Sequence, residues 1–127
     1  MKIDTIIIAD DSVLARKIII RSLEVAGFRD ATFLEAENGE LALELANSNP
    51  VDLLITDLNM PKMDGSSLLL KIKESPELNH LPVLVITSAS NPTKVKELRN
   101  SGAIGVLKKP ITPAILAAAI ERVGKSD

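Results

Sequence analysis

The chain has 127 residues and a formal net charge of −2 at pH 7, which fits a single domain, and we expect residues 1–127 to form it. It contains no cysteine, which excludes a disulfide framework and a thiolate metal site. The nearly balanced charge gives no basic footprint for nucleic acid or a membrane surface, and no apolar run reaches the roughly 20 residues that a spanning helix needs. Since no signal peptide is recognisable either, we expect a cytoplasmic protein that binds neither nucleic acid nor membrane.

Short apolar runs alternate along the chain with stretches of helical spacing. Five runs have the length and the flanking residues of β-strands: Ile6–Ala9, Thr32–Ala36, Val51–Ile55, Val83–Ile86 and Ile104–Leu107. Each run is followed by a helix-start signal: Ser12, Asn38-Gly39, Gly65 or Ser66, Asn91-Pro92 and Thr112-Pro113. Asn38-Gly39 is also typical of a hairpin turn, but the helical spacing of the apolar residues after it favours a helix.

Five strand–helix pairs in this order predict an α/β fold, because strands separated by helices pair in parallel and are covered on both faces. Three runs, Ile6–Ala9, Val51–Ile55 and Val83–Ile86, are continuously apolar, as central strands are. Thr32–Ala36 contains Glu35, which is typical of an edge strand. We therefore predict a doubly wound (βα)5, flavodoxin-like fold with the strand order 2-1-3-4-5.

Polar side chains follow four of the runs, at the edge of a parallel sheet where ligands bind. Asp10 and Asp11 come after the first run, Asp57 after the third, Thr87 after the fourth and Lys109 after the fifth. Three neighbouring carboxylates repel one another unless a cation neutralises them, and Mg²⁺ prefers oxygen ligands. A lysine and a hydroxyl can contact phosphoryl oxygens, and an aspartate can itself form an acyl phosphate. The pattern therefore indicates Mg²⁺-dependent phosphoryl transfer.

These residues resemble the receiver domain of two-component response regulators, most closely the single-domain, CheY-like kind associated with chemotaxis. The resemblance covers essentially the whole chain, and its most specific motif is MPKMDG at 60–65. It implies that Asp57 is the phosphoacceptor. It also implies that Asp11 and Asp57 bind Mg²⁺ directly, that Asp10 acts mainly through water, and that the backbone carbonyl of Asn59 completes the protein ligands.

The same resemblance implies that Thr87 and Lys109 bind the phosphoryl group and that the Lys109-Pro110 bond is cis. Ser88 is the alternative hydroxyl if Thr87 is not the one used. The donor is expected to be a phosphohistidine on a sensor histidine kinase or a histidine phosphotransfer protein. The partner that responds to phosphorylation is expected to be an output protein. The chain is then expected to be a signalling phosphoacceptor and not an enzyme, although it catalyses its own phosphorylation and dephosphorylation.

Two features depart from the family pattern. Receivers often carry an aromatic residue three positions before the lysine, where this chain has Val106. A ring movement cannot report phosphorylation here, so we expect the loop Thr87–Pro92 and the following helix to do so. The last helix has a core face of Leu116, Ile120 and Val123, and its other residues are also mostly apolar: Ile115, Ala117, Ala118 and Ala119. Alanine is simply a good helix former, or this face supports phosphorylation-dependent self-association or docking.

Three other functions are weighed against this interpretation. An aspartate-nucleophile phosphatase usually needs a second acid two positions after the nucleophile, where this chain has Asn59. A flavodoxin-like cofactor binder needs a phosphate-binding loop and an aromatic residue to stack on the flavin, and the chain has no Trp or Tyr. A pseudo-receiver that serves only as a scaffold does not need the intact acidic set.

Overall fold

A computed structural model describes residues 2–88 and 91–125, in which strands and helices alternate. The strands are β1 (Thr5–Ala9), β2 (Thr32–Ala36), β3 (Leu53–Asp57), β4 (Val83–Thr87) and β5 (Gly105–Lys108). The helices are α1 (Val13–Leu23), α2 (Gly39–Ser48), α3 (Gly65–Glu74), α4 (Pro92–Asn100) and α5 (Pro113–Lys125). A π-helical turn at Glu24–Phe28 extends α1 and contains Gly27 at φ 113°.

The five strands form one parallel sheet in the order β2-β1-β3-β4-β5, which confirms the predicted topology. Every residue of β3 and β4 is buried, and so are four of the five in β1, as expected for central strands. β2 is only partly buried and lies at one edge of the sheet, as predicted from the charged Glu35 within it. The continuous apolar runs therefore identified the interior of the sheet correctly.

Alternation along each strand produces one apolar core on each face of the sheet. On one face Ile7, Leu54 and Val85 pack against residues of α2, α3 and α4. On the other face Ile8 and Ile55 pack against residues of α1 and α5. All of these strand residues are fully buried, so the sheet is held in place from both sides.

The helix starts follow the capping chemistry of the sequence. The side chains of Ser12 and Asn38 accept hydrogen bonds from the backbone N–H groups of Ala15 (3.1 Å) and Leu41 (2.8 Å). Asn91 and Thr112 cap α4 and α5 in the same way. The cap of α3 is Asp64, which accepts from the N–H of Ser67 at 2.8 Å and which the sequence did not single out.

The third strand differs from its predicted limits of Val51–Ile55. Asp52 is part of the turn before β3, because its carboxylate accepts hydrogen bonds from the N–H groups of Asp4 and Thr5. The strand then continues through Asp57, and Leu58 still donates to the carbonyl of Ile86 in β4 at 3.1 Å. Asp57 is therefore the last residue of the strand and not a loop residue. β5 is shifted by one residue from its predicted start at Ile104.

The last helix shows a core face and an exposed apolar strip. Leu116 and Ile120 are buried as predicted, while the side chain of Val123 lies outside the described part of the structure. Ile115 is 41% exposed, and Ala118 is exposed one turn further on. Among residues 2–88 and 91–125, no helix has both the length and the apolar character that crossing a membrane requires.

Candidate functional site

Three carboxylates meet at the carboxyl edge of the central strands. Ala9 of β1 is paired with Thr56 of β3, so the next residue on each strand, Asp10 and Asp57, lies at the same level of the sheet. Asp11 joins them, and carboxylate oxygens of the three acids all lie within 4.8 Å of one another. The sequence prediction that these acids come together is therefore correct in space, and we call them the acidic cluster.

Lys109 reaches the acidic cluster from the end of β5. Its Nζ lies 3.3 Å from Oδ2 of Asp10 and 3.6 Å from Oδ1 of Asp57. Its backbone N–H donates to the carbonyl of Thr87 at 2.9 Å, and the Lys109-Pro110 bond is cis, as the sequence resemblance implied. The lysine thus contacts two carboxylates of the acidic cluster.

Asp10 and Asp11 have different surroundings. Asp10 is 1% exposed, and its Oδ1 accepts the N–H of Ser12 at 2.9 Å while its Oδ2 faces Lys109. Its own N–H donates to the carbonyl of Ala36 at 3.0 Å. Asp11 is exposed. A hydrated cation can therefore approach the cluster from the side of Asp11, while Asp10 is held against the protein.

The other two predicted site residues, Thr87 and Asn59, come from the end of β4 and from the connection after β3. Thr87 is the last residue of β4 and is buried, whereas the alternative hydroxyl of Ser88 is exposed. Asn59 lies two residues after Asp57 in the connection between β3 and α3, and it is exposed. The position of Thr87 on the strand next to β3 favours it over Ser88 as the hydroxyl of the site.

The connection after Asp57 folds back tightly onto the end of its own strand. The N–H of Gly65 donates to the carbonyl of Leu58 at 2.8 Å. A methyl group on Gly65 would collide with the backbone carbonyl of Asp57 and lie 3.0 Å from Cα of Leu58. Lys62 has φ 66°, and the carbonyl of Met63 accepts the N–H of Gly39 at the start of α2. Gly65 therefore lets α3 begin directly against Asp57, whose carboxylate is the central one of the acidic cluster.

The pKa of Asp57 is raised above its ordinary value. Burial is the largest cause, followed by the negative charge of Asp10. Lys109 and the backbone N–H of Leu58 lower the pKa but do not offset these effects. An acidic cluster with only oxygen donors and a destabilised central carboxylate fits a hard divalent cation such as Mg²⁺.

The raised pKa predicts a pH-dependent gain in stability for Asp57→Asn. Because the folded protein holds a proton on Asp57 at higher pH than the unfolded chain does, wild-type stability falls as pH rises from the unfolded pKa of about 4 through the folded pKa. We expect Asp57→Asn, without divalent cations, to unfold a few degrees above wild type at neutral pH, and the difference to vanish below about pH 4. Thermal unfolding by circular dichroism measures it, with exposed Asp30→Asn as the control. A lower unfolding temperature for Asp57→Asn at neutral pH would contradict the prediction.

Arg16 also contacts the site, and the sequence analysis did not identify it. Its NH1 donates to the backbone carbonyl of Asp10 at 2.7 Å, and its Nε donates to Oε1 of Glu35 at 2.9 Å. Only 12% of the Arg16 side chain is exposed. The one signal in the sequence was Glu35, a charge within an otherwise apolar strand that needs a partner.

Comparison with known proteins gives consistent matches over most of the chain. Residues 6–121 match a family model described as the response regulator receiver domain. The chemotaxis protein CheY of Pseudomonas aeruginosa is 36% identical over 118 residues, which cover 93% of this chain and 94% of that protein. The two-component response regulator ORR3 of Oryza sativa is 35% identical over 119 residues, which cover 93% of this chain and 88% of that protein. The structure is similar to that of the Vibrio cholerae chemotaxis protein CheY4, with a TM-score of 0.84, 30% identity and coverage of 96% of this chain and 99% of that one.

Proposed function

Because the chain belongs to the response regulator receiver domain family, we propose that residues 1–127 act as a single receiver that accepts a phosphoryl group on Asp57. The observation that carries the proposal is the acidic cluster with Lys109 in contact with its central carboxylate. That arrangement is costly for folding, since burial and a like charge both disfavour ionised Asp57. A costly arrangement of charges at the edge of a sheet is typical of a functional site.

In the proposed reaction, a carboxylate oxygen of Asp57 attacks the phosphorus of a phosphohistidine. The new O–P bond forms as the N–P bond breaks, and the imidazole leaves with the electron pair of that bond. Lys109, already 3.6 Å from Asp57, moves its charge to a phosphoryl oxygen, and Thr87 donates its hydroxyl to another. Attack of water on the acyl phosphate restores the carboxylate and releases phosphate, so the domain also limits the lifetime of its own signal.

The metal in this proposal is Mg²⁺, held by Asp11, Asp57 and the carbonyl of Asn59, with Asp10 acting mainly through water. When bound, Mg²⁺ neutralises the carboxylates and the negative charge of the phosphoryl group. The proposed donor is a sensor histidine kinase or a histidine phosphotransfer protein in the cytoplasm, and the proposed downstream partner is an output protein.

Mg²⁺ is expected to stabilise the folded protein through the acidic cluster. At a concentration about 100 times its Kd, a ligand specific for the folded state stabilises it by about 2.7 kcal/mol. We expect Asp11→Ala to lose this gain, because it removes the exposed ligand without disturbing the ion pair between buried Asp10 and half-buried Lys109. Thermal unfolding with and without Mg²⁺ measures the effect, and Asp30→Ala, another exposed acid, should keep the full gain. An equal gain in Asp11→Ala would place the cation elsewhere.

Phosphoryl uptake is tested by intact mass after incubation with acetyl phosphate. We expect one added phosphoryl group in the presence of Mg²⁺, none after chelation of the metal, and none in Asp57→Asn. Both small-molecule and protein donors should be tried, since a receiver catalyses its own phosphorylation once a donor is in place. No uptake from acetyl phosphate or from a phosphorylated phosphotransfer protein would instead support a scaffold function.

A further inference from the structure

We propose that Arg16 is a positioning residue for the turn that carries Asp10 and Asp11, and that through this turn it sets the affinity of the site for Mg²⁺. The inference rests on the proposed function, because it takes Asp11 as a metal ligand. Arg16 acts on the turn and not on the carboxylates that would hold the metal, because its hydrogen bonds go to the backbone carbonyl of Asp10 and to Glu35. Any effect on the metal must therefore pass through the backbone or through space.

The turn is fixed at every polar group of Asp10. Its N–H is bonded to the carbonyl of Ala36, its Oδ1 to the N–H of Ser12, and its Oδ2 to Lys109. Its carbonyl is the remaining group, and Arg16 donates to that oxygen at 2.7 Å. This carbonyl belongs to the planar peptide that leads into Asp11. Fixing the carbonyl fixes the plane of the peptide before Asp11, and the bonded N–H of Ser12 restrains the peptide after it, so the backbone is held on both sides of the Asp11 side chain.

Arg16 is well suited to fix this peptide. It lies in the first turns of α1, and side chains of a helix lean toward its N-terminus, which places the guanidinium beside the turn. Its Nε is held at 2.9 Å by Glu35 of the edge strand β2. The planar guanidinium can donate from NH1 and Nε together in a rigid geometry, which the single ammonium of a lysine does not reproduce. The Arg16–Glu35 pair therefore ties the turn to both α1 and β2.

Positioning and through-space electrostatics predict opposite results when Arg16 is removed. A positive charge near a cation site opposes cation binding, so loss of charge alone would tighten binding of Mg²⁺. Loss of a positioning contact would weaken it, since outer groups that orient a ligand typically contribute about 10- to 100-fold in metal affinity. Lys17 offers a matched control, because it is the next residue on α1, carries the same charge and is exposed.

Isothermal titration of the full chain with Mg²⁺ alone tests the inference, with unfolding temperature in chelator as a separate measure of folding. We expect Arg16→Ala to raise the Kd about 10-fold or more, Arg16→Lys to raise it as well despite keeping the charge, and Lys17→Ala to leave it unchanged or lower it. If Arg16→Ala does not fold, Arg16→Lys decides the matter, because it keeps the charge and should still weaken binding.

Two results would overturn the inference, and they are distinguishable. A Kd that is unchanged or lower in folded Arg16→Ala and Arg16→Lys rejects the positioning role and leaves the proposed function intact. Absence of Mg²⁺ binding by the wild-type chain rejects the proposed metal site, and the inference with it.

Discussion

Replacing Lys109 by alanine is expected to slow phosphoryl uptake about 100-fold, the usual cost of removing one charged or hydrogen-bonding group that stabilises a transition state. Lys109 Nζ is 3.6 Å from Asp57 and 3.3 Å from Asp10, so it lies where the phosphoryl oxygens would arrive. The neighbouring Lys108→Ala should leave the rate close to that of wild type, because Lys108 is exposed at the end of β5.

The two lysine variants remove the same charge from adjacent positions, so a difference between them reports the position of the amine and not the net charge of the protein. The rate is measured as the appearance of the phosphorylated mass over time, with acetyl phosphate and saturating Mg²⁺. Lys109 also lowers the pKa of Asp57, so its loss should make that carboxyl still harder to ionise. Equal rates for Lys108→Ala and Lys109→Ala would contradict the assigned role of Lys109.

Gly65→Ala is expected to destabilise the protein by about 2–4 kcal/mol, because overpacking against backbone cannot be relieved by a rotamer change. The added methyl group would collide with the carbonyl of Asp57 and approach Cα of Leu58 to 3.0 Å. To escape, the start of α3 must move away from β3, which also displaces the proposed phosphoacceptor. We therefore expect the folded fraction of this variant to take up phosphoryl groups more slowly as well.

Two control variants separate the collision from other effects of alanine. Ser67→Ala changes an exposed residue in the same turn of α3 and should cost little. Gly27→Ala meets no atom within 4 Å but has φ 113°, so it isolates backbone strain of about 1–2 kcal/mol. Chemical denaturation followed by circular dichroism gives the free energies of unfolding. A stability of Gly65→Ala equal to that of Ser67→Ala would show that α3 tolerates the methyl group.

The topology could be predicted because the sheet imposes a simple rule on each strand. Strands buried on both faces must be apolar throughout. Val83–Ile86 is continuously apolar and lies in the centre of the sheet, whereas Thr32–Ala36 contains a charged residue and lies at the edge. The acidic cluster followed from the same rule, since the carboxyl ends of parallel strands lie at one edge. Strand limits were less accurate: β3 was predicted to start and end two residues too early, because the threonine and aspartate after Ile55 look like the start of a turn, and β5 was predicted to start one residue too early.

The contacts that hold the site could not be predicted, because they depend on where long side chains end. Lys109 reaches two carboxylates and Arg16 spans α1 and β2, and neither distance follows from positions in the chain. The Asp64 cap was missed because Gly65 and Ser66 themselves look like the helix-start signal of α3. Local hydrogen bonds of short polar side chains were easier to predict, as at Ser12 and Asn38.

We expect Val106 to influence the response to phosphorylation, since it lies opposite Val85 in the sheet and packs against the core under α2, α3 and α4. A branched aliphatic side chain at this position has no ring to turn inward.

Our proposal that the loop Thr87–Pro92 and α4 carry the signal includes residues 89 and 90, which lie outside the described part of the structure. The exposed strip of Ile115 and Ala118 on α5 is the proposed place for docking or self-association.

The most direct test of the central claim is to locate the phosphoryl group within the chain. The protein is phosphorylated with acetyl phosphate and Mg²⁺, the acyl phosphate is reduced with borohydride to convert the modified aspartate to homoserine, and peptides are sequenced by mass spectrometry. We predict conversion at Asp57 alone, with Asp10 and Asp11 unmodified in the same peptide map. Conversion at Asp10 or Asp11, or the same conversion in the absence of Mg²⁺, would contradict the account.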